Sequence, residues 1–153
     1  MPERSAFLNN YPVVRSSDRV FVRDQLCSAY GAEKVEPGRP SSGFLVEVNH
    51  LQIRDLGVSY CAYGSDVSIG FGEASFIRQC FSIEGTARYA AGRQAGEIKP
   101  GLWSPILPAH TPIRLDFESG YRQLVLRIEF DALLHYLGCL LGKDVGRDLV
   151  FDE

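Results

Sequence analysis

The chain has 153 residues, 45% hydrophobic and 23% charged, which suits one globular domain with a real core and excludes a disordered, fibrous or collagen-like polypeptide. Its formal net charge of −3, from Lys+Arg 16 against Asp+Glu 19, argues against direct nucleic-acid contact, which needs a basic excess or a basic stripe. No apolar stretch is long enough to span a bilayer, and MPERSAFLNNYP has no apolar h-region, so no membrane association is expected and the expected compartment is the cytoplasm.

The first expected element is a helix over 17–31. Ser17 can cap it, Asp18 suits its positive end, Val22, Leu26 and Ala29 recur on one face, and Gly31 stands where it should stop. EPGRPSSG (36–43) reads as a loop. Strand patterns then follow at short intervals. Residues 44–53 alternate Phe44, Val46 and Val48 against Glu47 and Asn49, and 57–63 and 66–71 form a candidate pair around Gly64-Ser65-Asp66. Residues 76–83 run toward a break at Gly85, and 86–90 and 93–98 flank a turn at Ala91-Gly92. An apolar strand is expected through 103–107, and 112–117 and 121–129 close the series through Ser119-Gly120. About eight short strands punctuated by Gly, Pro and Ser predict an antiparallel barrel or two-sheet sandwich rather than βαβ units.

A second helix is expected over 131–142. Asp131 is its candidate N-cap, Gly142 its stop, and Leu133, Leu134, Leu137, Leu140 and Leu141 form one apolar stripe. Gly138 inside it costs about 1 kcal/mol relative to alanine, so something is expected to pack closely there. The stripe suits packing on its own sheet or contact with a second chain.

Enzymatic chemistry needs convergent nucleophiles, bases or metal ligands, and the sequence shows no such set. His50, His110 and His135 lie far apart, and H-x-H, H-E-x-x-H, G-x-S-x-G and a phosphate loop are absent. His135 falls opposite the leucine stripe, and His50 near a strand end without an evident catalytic partner. Cys27, Cys61, Cys80 and Cys139 have no paired spacing and read as free thiols. No catalytic residue, metal or cofactor is expected. Trp103, the only tryptophan, either stacks on a ligand or fills the core. Alternation puts Phe81 with Ile83, and Leu124 with Leu126 and Ile128, on faces expected to point into a barrel, where they fill the interior or line a cavity. Arg78 and Gln79 are neighbours on opposite faces, so one of them can point inward; an inward arginine suits an anionic ligand.

The stretch 85–117 (GTARYAAGRQAGEIKPGLWSPILPAHTPIRLDF), with its Pro100-Gly101 turn, Pro105, Pro108 and His110, resembles the second half of a cupin barrel, a double-stranded β-helix. Catalytic cupins carry an earlier H-x-H and glutamate metal set. Here that region is FIRQCFSIEG, without histidine, which argues against a metal-dependent cupin enzyme and leaves His110 as a lone remnant or a plain polar residue. With its flanks added, the chain resembles the N-terminal domain of AraC/XylS-type transcription regulators. The matching features are Lys99-Pro100-Gly101, the Leu107-Pro108 to Pro112 stretch, the 124–128 strand running into Asp131-Ala132-Leu133-Leu134, and the tail Leu149-Val150-Phe151-Asp152.

That resemblance implies a single regulatory domain over 1–153: an N-terminal helix (17–31), a cupin-like barrel (44–129), a dimerisation helix (131–142) and the start of a linker (143–153). It implies a small organic effector inside the barrel, with Arg78, Phe81, Ile83, Trp103, His110, Leu124 and Leu126 as candidate contacts. It further implies a homodimer through Leu133, Leu134, Leu137, Leu140 and Leu141, and promoter DNA bound only through a helix-turn-helix module missing from this chain. The alternatives are a metal-dependent cupin enzyme and a ligand-free structural dimerisation domain with a filled barrel.

Overall fold

Two antiparallel sheets face each other across one core in a computed structural model that describes residues 7–38, 43–101 and 103–151. In chain order the elements are β1 (Pro12–Ser16), α1 (Arg19–Ala29), β2 (Ala32–Pro37), β3 (Val46–Ile53), β4 (Leu56–Tyr63), β5 (Val67–Phe71), β6 (Phe76–Glu84), β7 (Ala87–Ala91), β8 (Gln94–Ile98), β9 (Ile106–Leu107), β10 (Ile113–Phe117), β11 (Tyr121–Glu129) and α2 (Phe130–Leu141). The larger sheet runs β1-β3-β4-β11-β6-β9 and the smaller β2-β5-β10-β7-β8. The expected fold class, mainly antiparallel β with flanking helices, is what the chain adopts. The sheets stay separate in hydrogen bonding, so the barrel is a two-sheet sandwich rather than a closed cylinder.

Several boundaries differ from expectation, each for a local reason. Asp18, not Ser17, caps α1: its Oδ1 accepts from the Val20 and Phe21 amides at 2.9 and 3.0 Å. Val22 and Leu26 are fully buried, whereas Ala29 is exposed, and Gly31 follows at φ +81. Strands β1 and β2 had no legible alternation because each carries a register break, between Pro12 and Val14 and between Ala32 and Lys34. Asn49 is buried, not solvent-facing, and its side-chain amide donates to the Phe7 carbonyl at 2.9 Å.

The segments on either side of Gly64-Ser65-Asp66 are not a hairpin. β4 pairs with β3 and β11, while β5 pairs with β2 and β10, so the turn carries the chain from one sheet to the other. Ser119 clamps that corner: its amide donates to Asp66 Oδ1 at 2.8 Å and its hydroxyl to the Gly64 carbonyl at 2.9 Å. The strand expected through 103–107 shrinks to Ile106–Leu107, two residues paired with Arg78 and Gln79. Between the sheets, Tyr63 stacks on Phe117 with ring centroids 4.1 Å apart, and Phe117 leans on Tyr121 at 5.3 Å.

At the C-terminal helix, Asp131 lies in the first turn and pairs with Arg147 at 2.9 Å; Glu129 holds the N-cap position without a side-chain cap bond. Gly142 ends α2 at φ +67. The expected close packing at Gly138 is the returning chain: the Lys143 amide donates to the Gly138 carbonyl at 3.2 Å, and a Cβ on Gly138 would stand 3.2 Å from the Lys143 carbonyl oxygen. Among the described residues no helix is long and apolar enough to cross a membrane.

Asp18→Ala should lower the unfolding free energy by about 1 kcal/mol. Denaturant titration checks this: an unchanged midpoint would show that α1 is held by Val22 and Leu26 alone.

Candidate functional site

Cross-strand register assembles a polar end inside the sandwich. On the inner face of the larger sheet, Gln52, Gly57, Arg127, Arg78 and Leu107 lie in one row across β3, β4, β11, β6 and β9. The next row places His50, Ser59, Val125 and Cys80 side by side. The side-chain ends of Gln52 and His50 lie over Gly57: a Cβ there would stand 2.6 Å from Gln52 Oε1 and 2.7 Å from His50 Cε1. The His50 ring bonds Ser59 Oγ through Nδ1 at 2.7 Å and Gln52 Oε1 through Nε2 at 3.1 Å.

Arg78 and Arg127 are direct cross-strand partners, two like charges where opposite ones would be favourable. Arg78 is 3% exposed and Arg127 partly buried. Aromatic faces hold both. The Arg78 Cζ lies 4.7 Å from the Phe71 centroid and 4.6 Å from that of Phe76. The Arg127 Cζ lies 4.0 Å from Tyr30 and 4.8 Å from Phe76. Each such contact supplies about 0.5–2 kcal/mol, well short of the desolvation cost of a buried cation. Nε and Nη1 of Arg78 and Nε of Arg127 are buried without a hydrogen-bond partner; Arg127 Nη2 reaches the Tyr30 carbonyl at 3.5 Å.

Burial first, and then the Arg127 charge, lower the Arg78 pKa to about 10, so it stays cationic at neutral pH. Its neighbours of acidic character do not compensate. Burial raises the Tyr30 hydroxyl, and pushes the Cys80 thiol up to about 12. Both are neutral at pH 7.

Of the interior candidates from sequence, Arg78 alone lies inside. Phe81, Leu124 and Leu126 face outward, Leu124 between Phe81 and Tyr60 and Leu126 beside Val58, while Ile83 falls at the register break of β6 and is half-buried. The inward residues are Arg78, Cys80 and Ser82 on β6 and Tyr121, Gln123, Val125 and Arg127 on β11. The parity was misjudged because both faces of these strands carry large apolar side chains. Trp103 is 46% exposed and borders a surface groove of about 310 Å³ with Tyr89, Pro105, Ile106 and Phe151, so it neither fills the core nor meets Arg78. His110 is exposed in a turn at φ +55; its amide donates to the Ala74 carbonyl at 2.7 Å and its ring sits edge-on to Phe130. It lines a second groove, of about 330 Å³, with Ile77, Phe130 and the tail residues Leu149, Val150 and Phe151.

Arg127, Tyr30, Phe71, Phe76, His50, Ser59 and Gln52 were missed. The available signal was the run Tyr121, Gln123, Val125, Arg127, which shares one parity and is too polar to read as core. A cupin metal set does not fit this interior. Among the described residues no three His, Cys, Asp or Glu side chains converge, and two inward guanidiniums would repel a cation.

Residues 22–153 match the model of the AraC-binding-like domain. Among solved structures, the AraC-like transcriptional activator CuxR is similar with a TM-score of 0.63 and 17% identity over 86% of this chain and 52% of its own; the chain thus spans about half of that protein. The cupin domain of Cnp3 from Schizosaccharomyces pombe matches with a TM-score of 0.50 and 10% identity, over 65% of this chain and 73% of its own. A cupin superfamily protein from Desulfitobacterium hafniense matches with 0.50 and 14%, over 58% and 82%. At such identities the likeness is one of fold. No curated protein sequence matches the chain.

The polar end has a pH signature. Burial, and next the Arg127 charge, hold the His50 pKa below its ordinary 6.5. The unfolded chain therefore binds this proton more readily. The contribution is present above about pH 6.5 and is lost as pH falls through the lowered folded value. Melting temperature should fall on acidification from about pH 8 to about pH 5.5, less steeply in His50→Gln. Parallel slopes would remove His50 as the source.

Proposed function

This chain belongs to the AraC-binding-like domain family, and from that premise we propose that it is the effector-sensing and dimerisation domain of a cytoplasmic AraC-type transcription regulator. The buried Arg78–Arg127 pair carries the reading. A core selected only for stability would not keep two unpaired guanidiniums, whereas a ligand site does. The role is non-enzymatic. The effector is a small organic molecule bound between the sheets, and DNA is contacted by another domain rather than by this segment.

Binding acts as a population shift. An effector that prefers one arrangement of the interior and of α2 raises its share, and the DNA-binding domain responds to that arrangement. The path is short: Arg127 is followed by Ile128 and Glu129, and Phe130 begins α2. Dimerisation uses α2. Only Phe130 of this helix is buried, while Leu133, Leu134 and Leu137 are half-buried and Leu140 and Leu141 are 82% and 59% exposed. That apolar stripe, beside the outward Leu124 and Leu126 of β11, fits a second copy of the same surface.

Two measurements test the proposal. A thermal-shift screen of small metabolites should yield a compound that raises the melting temperature by about 5–10 °C at a hundredfold excess over Kd; a barrel that no metabolite stabilises would favour a purely structural domain. Leu140→Glu should leave the circular dichroism spectrum unchanged and weaken the dimer about tenfold or more in sedimentation. A dimer that survives intact would move the interface off α2.

A further inference from the structure

We infer that the effector carries an oxyanion, a carboxylate or phosphate group, that sits between Arg78 and Arg127 as the countercharge this chain does not supply. The inference rests on the sensing role proposed above and specifies its ligand class.

Four of the other arginines set the contrast. Arg23, Arg114, Arg122 and Arg147, all closer to solvent, pair with Asp24, Asp116, Glu84 and Asp131 at 2.7–3.1 Å. Arg78 and Arg127, where a missing partner costs most, have no carboxylate within ion-pair distance among the described residues. These four hold a carboxylate where pairing stabilises little, whereas the inner pair, where it would stabilise much, holds none. That pattern is expected if a ligand completes the pair.

Geometry points to the same group. The guanidinium carbons lie over the rings of Phe71, Phe76 and Tyr30, and apart from the Tyr30 carbonyl, which takes Arg127 Nη2, these residues accept nothing from the two arginines. The free donors, Nε and Nη1 of Arg78 and Nε of Arg127, belong to two forks on neighbouring strands. A carboxylate or phosphate matches such forks and neutralises them; a sugar hydroxyl can accept a bond but leaves the charge in place. Burial keeps the Tyr30 hydroxyl, 3.6 Å from Cys61 Sγ, protonated, so it does not serve as the internal anion. Arg127, only partly buried, is the side from which the pair meets solvent.

The test uses the whole chain, with succinate, benzoate and methyl phosphate as oxyanion probes, glucose and glycerol as neutral probes, and sodium chloride at matched ionic strength as reference. At least one oxyanion should raise the melting temperature saturably above the chloride reference, and which one separates carboxylate from phosphate chemistry. Calorimetric affinity for it should fall about tenfold to a hundredfold in Arg78→Met. Arg78→Lys, which keeps the charge and loses the fork, should fall between. Without ligand, Arg78→Met should be at least as stable as the wild type, because it replaces an unpaired buried cation by an apolar chain of similar length. Stabilisation by a neutral probe alone would overturn the oxyanion and leave the sensing role standing. Stabilisation by neither class, with Arg78→Met strongly destabilised, would overturn both and make the pair a structural filler. An oxyanion effect that persists unchanged in Arg78→Met would place the anion elsewhere and overturn the inference.

Discussion

Holding two guanidiniums side by side on adjacent strands, one buried and one partly buried, is the constraint that organises one end of this domain. Arg78 and Arg127 face each other across β6 and β11. Three aromatic rings lie against them, and His50 is satisfied by Ser59 and Gln52 over Gly57. The opposite end of the core is ordinary by comparison, with Tyr63, Phe117 and Tyr121 in aromatic contact and Val46 fully buried. One end of the sandwich is thus packed mainly by aromatic and aliphatic side chains, and the other carries the two guanidiniums.

The same sheet that holds the arginines inside presents an apolar surface outside. Leu124, Leu126 and Phe81 project from its outer face, and α2 continues β11 without an intervening loop. The proposed recognition and assembly surfaces are therefore two faces of one strand pair, one residue out of phase. A shift of β11 toward or away from its partner would be felt on both sides, since interior packing transmits displacement rather than absorbing it. The tail residues 147–151 add a third contact, running back beside Ile77, Ile106 and His110 along the β6–β9 edge.

Parity is where reading from sequence went astray, and the cause is physical. Alternation assigns two faces to a strand but names the inner one only when one face is polar. In β11 the faces are Leu124, Leu126 and Ile128 against Tyr121, Gln123, Val125 and Arg127. Hydrophobicity alone favours the leucines as core. The structure reverses this, because the outer face is apolar as well and the inner one carries a polar site. The β4–β5 corner failed differently: a glycine-serine turn reads as a hairpin whether it reverses a chain within one sheet or passes it to another, and only Ser119, remote in sequence, closes the corner.

Sequence by itself determined what depends on neighbours along the chain: a helix ending at Gly31, short strands broken by turn residues, a leucine-rich helix ending at Gly142, and the order of motifs that marks the family. Arg78 was visible too, as one of two polar neighbours of which one could turn inward. Tertiary structure alone decided which of them did, and that Arg127, 49 positions further on and directly opposite in register, would meet it with no acid between them. The reason is that strand pairing is non-local: register and facing are set by what lies across the sheet, and no local pattern records it.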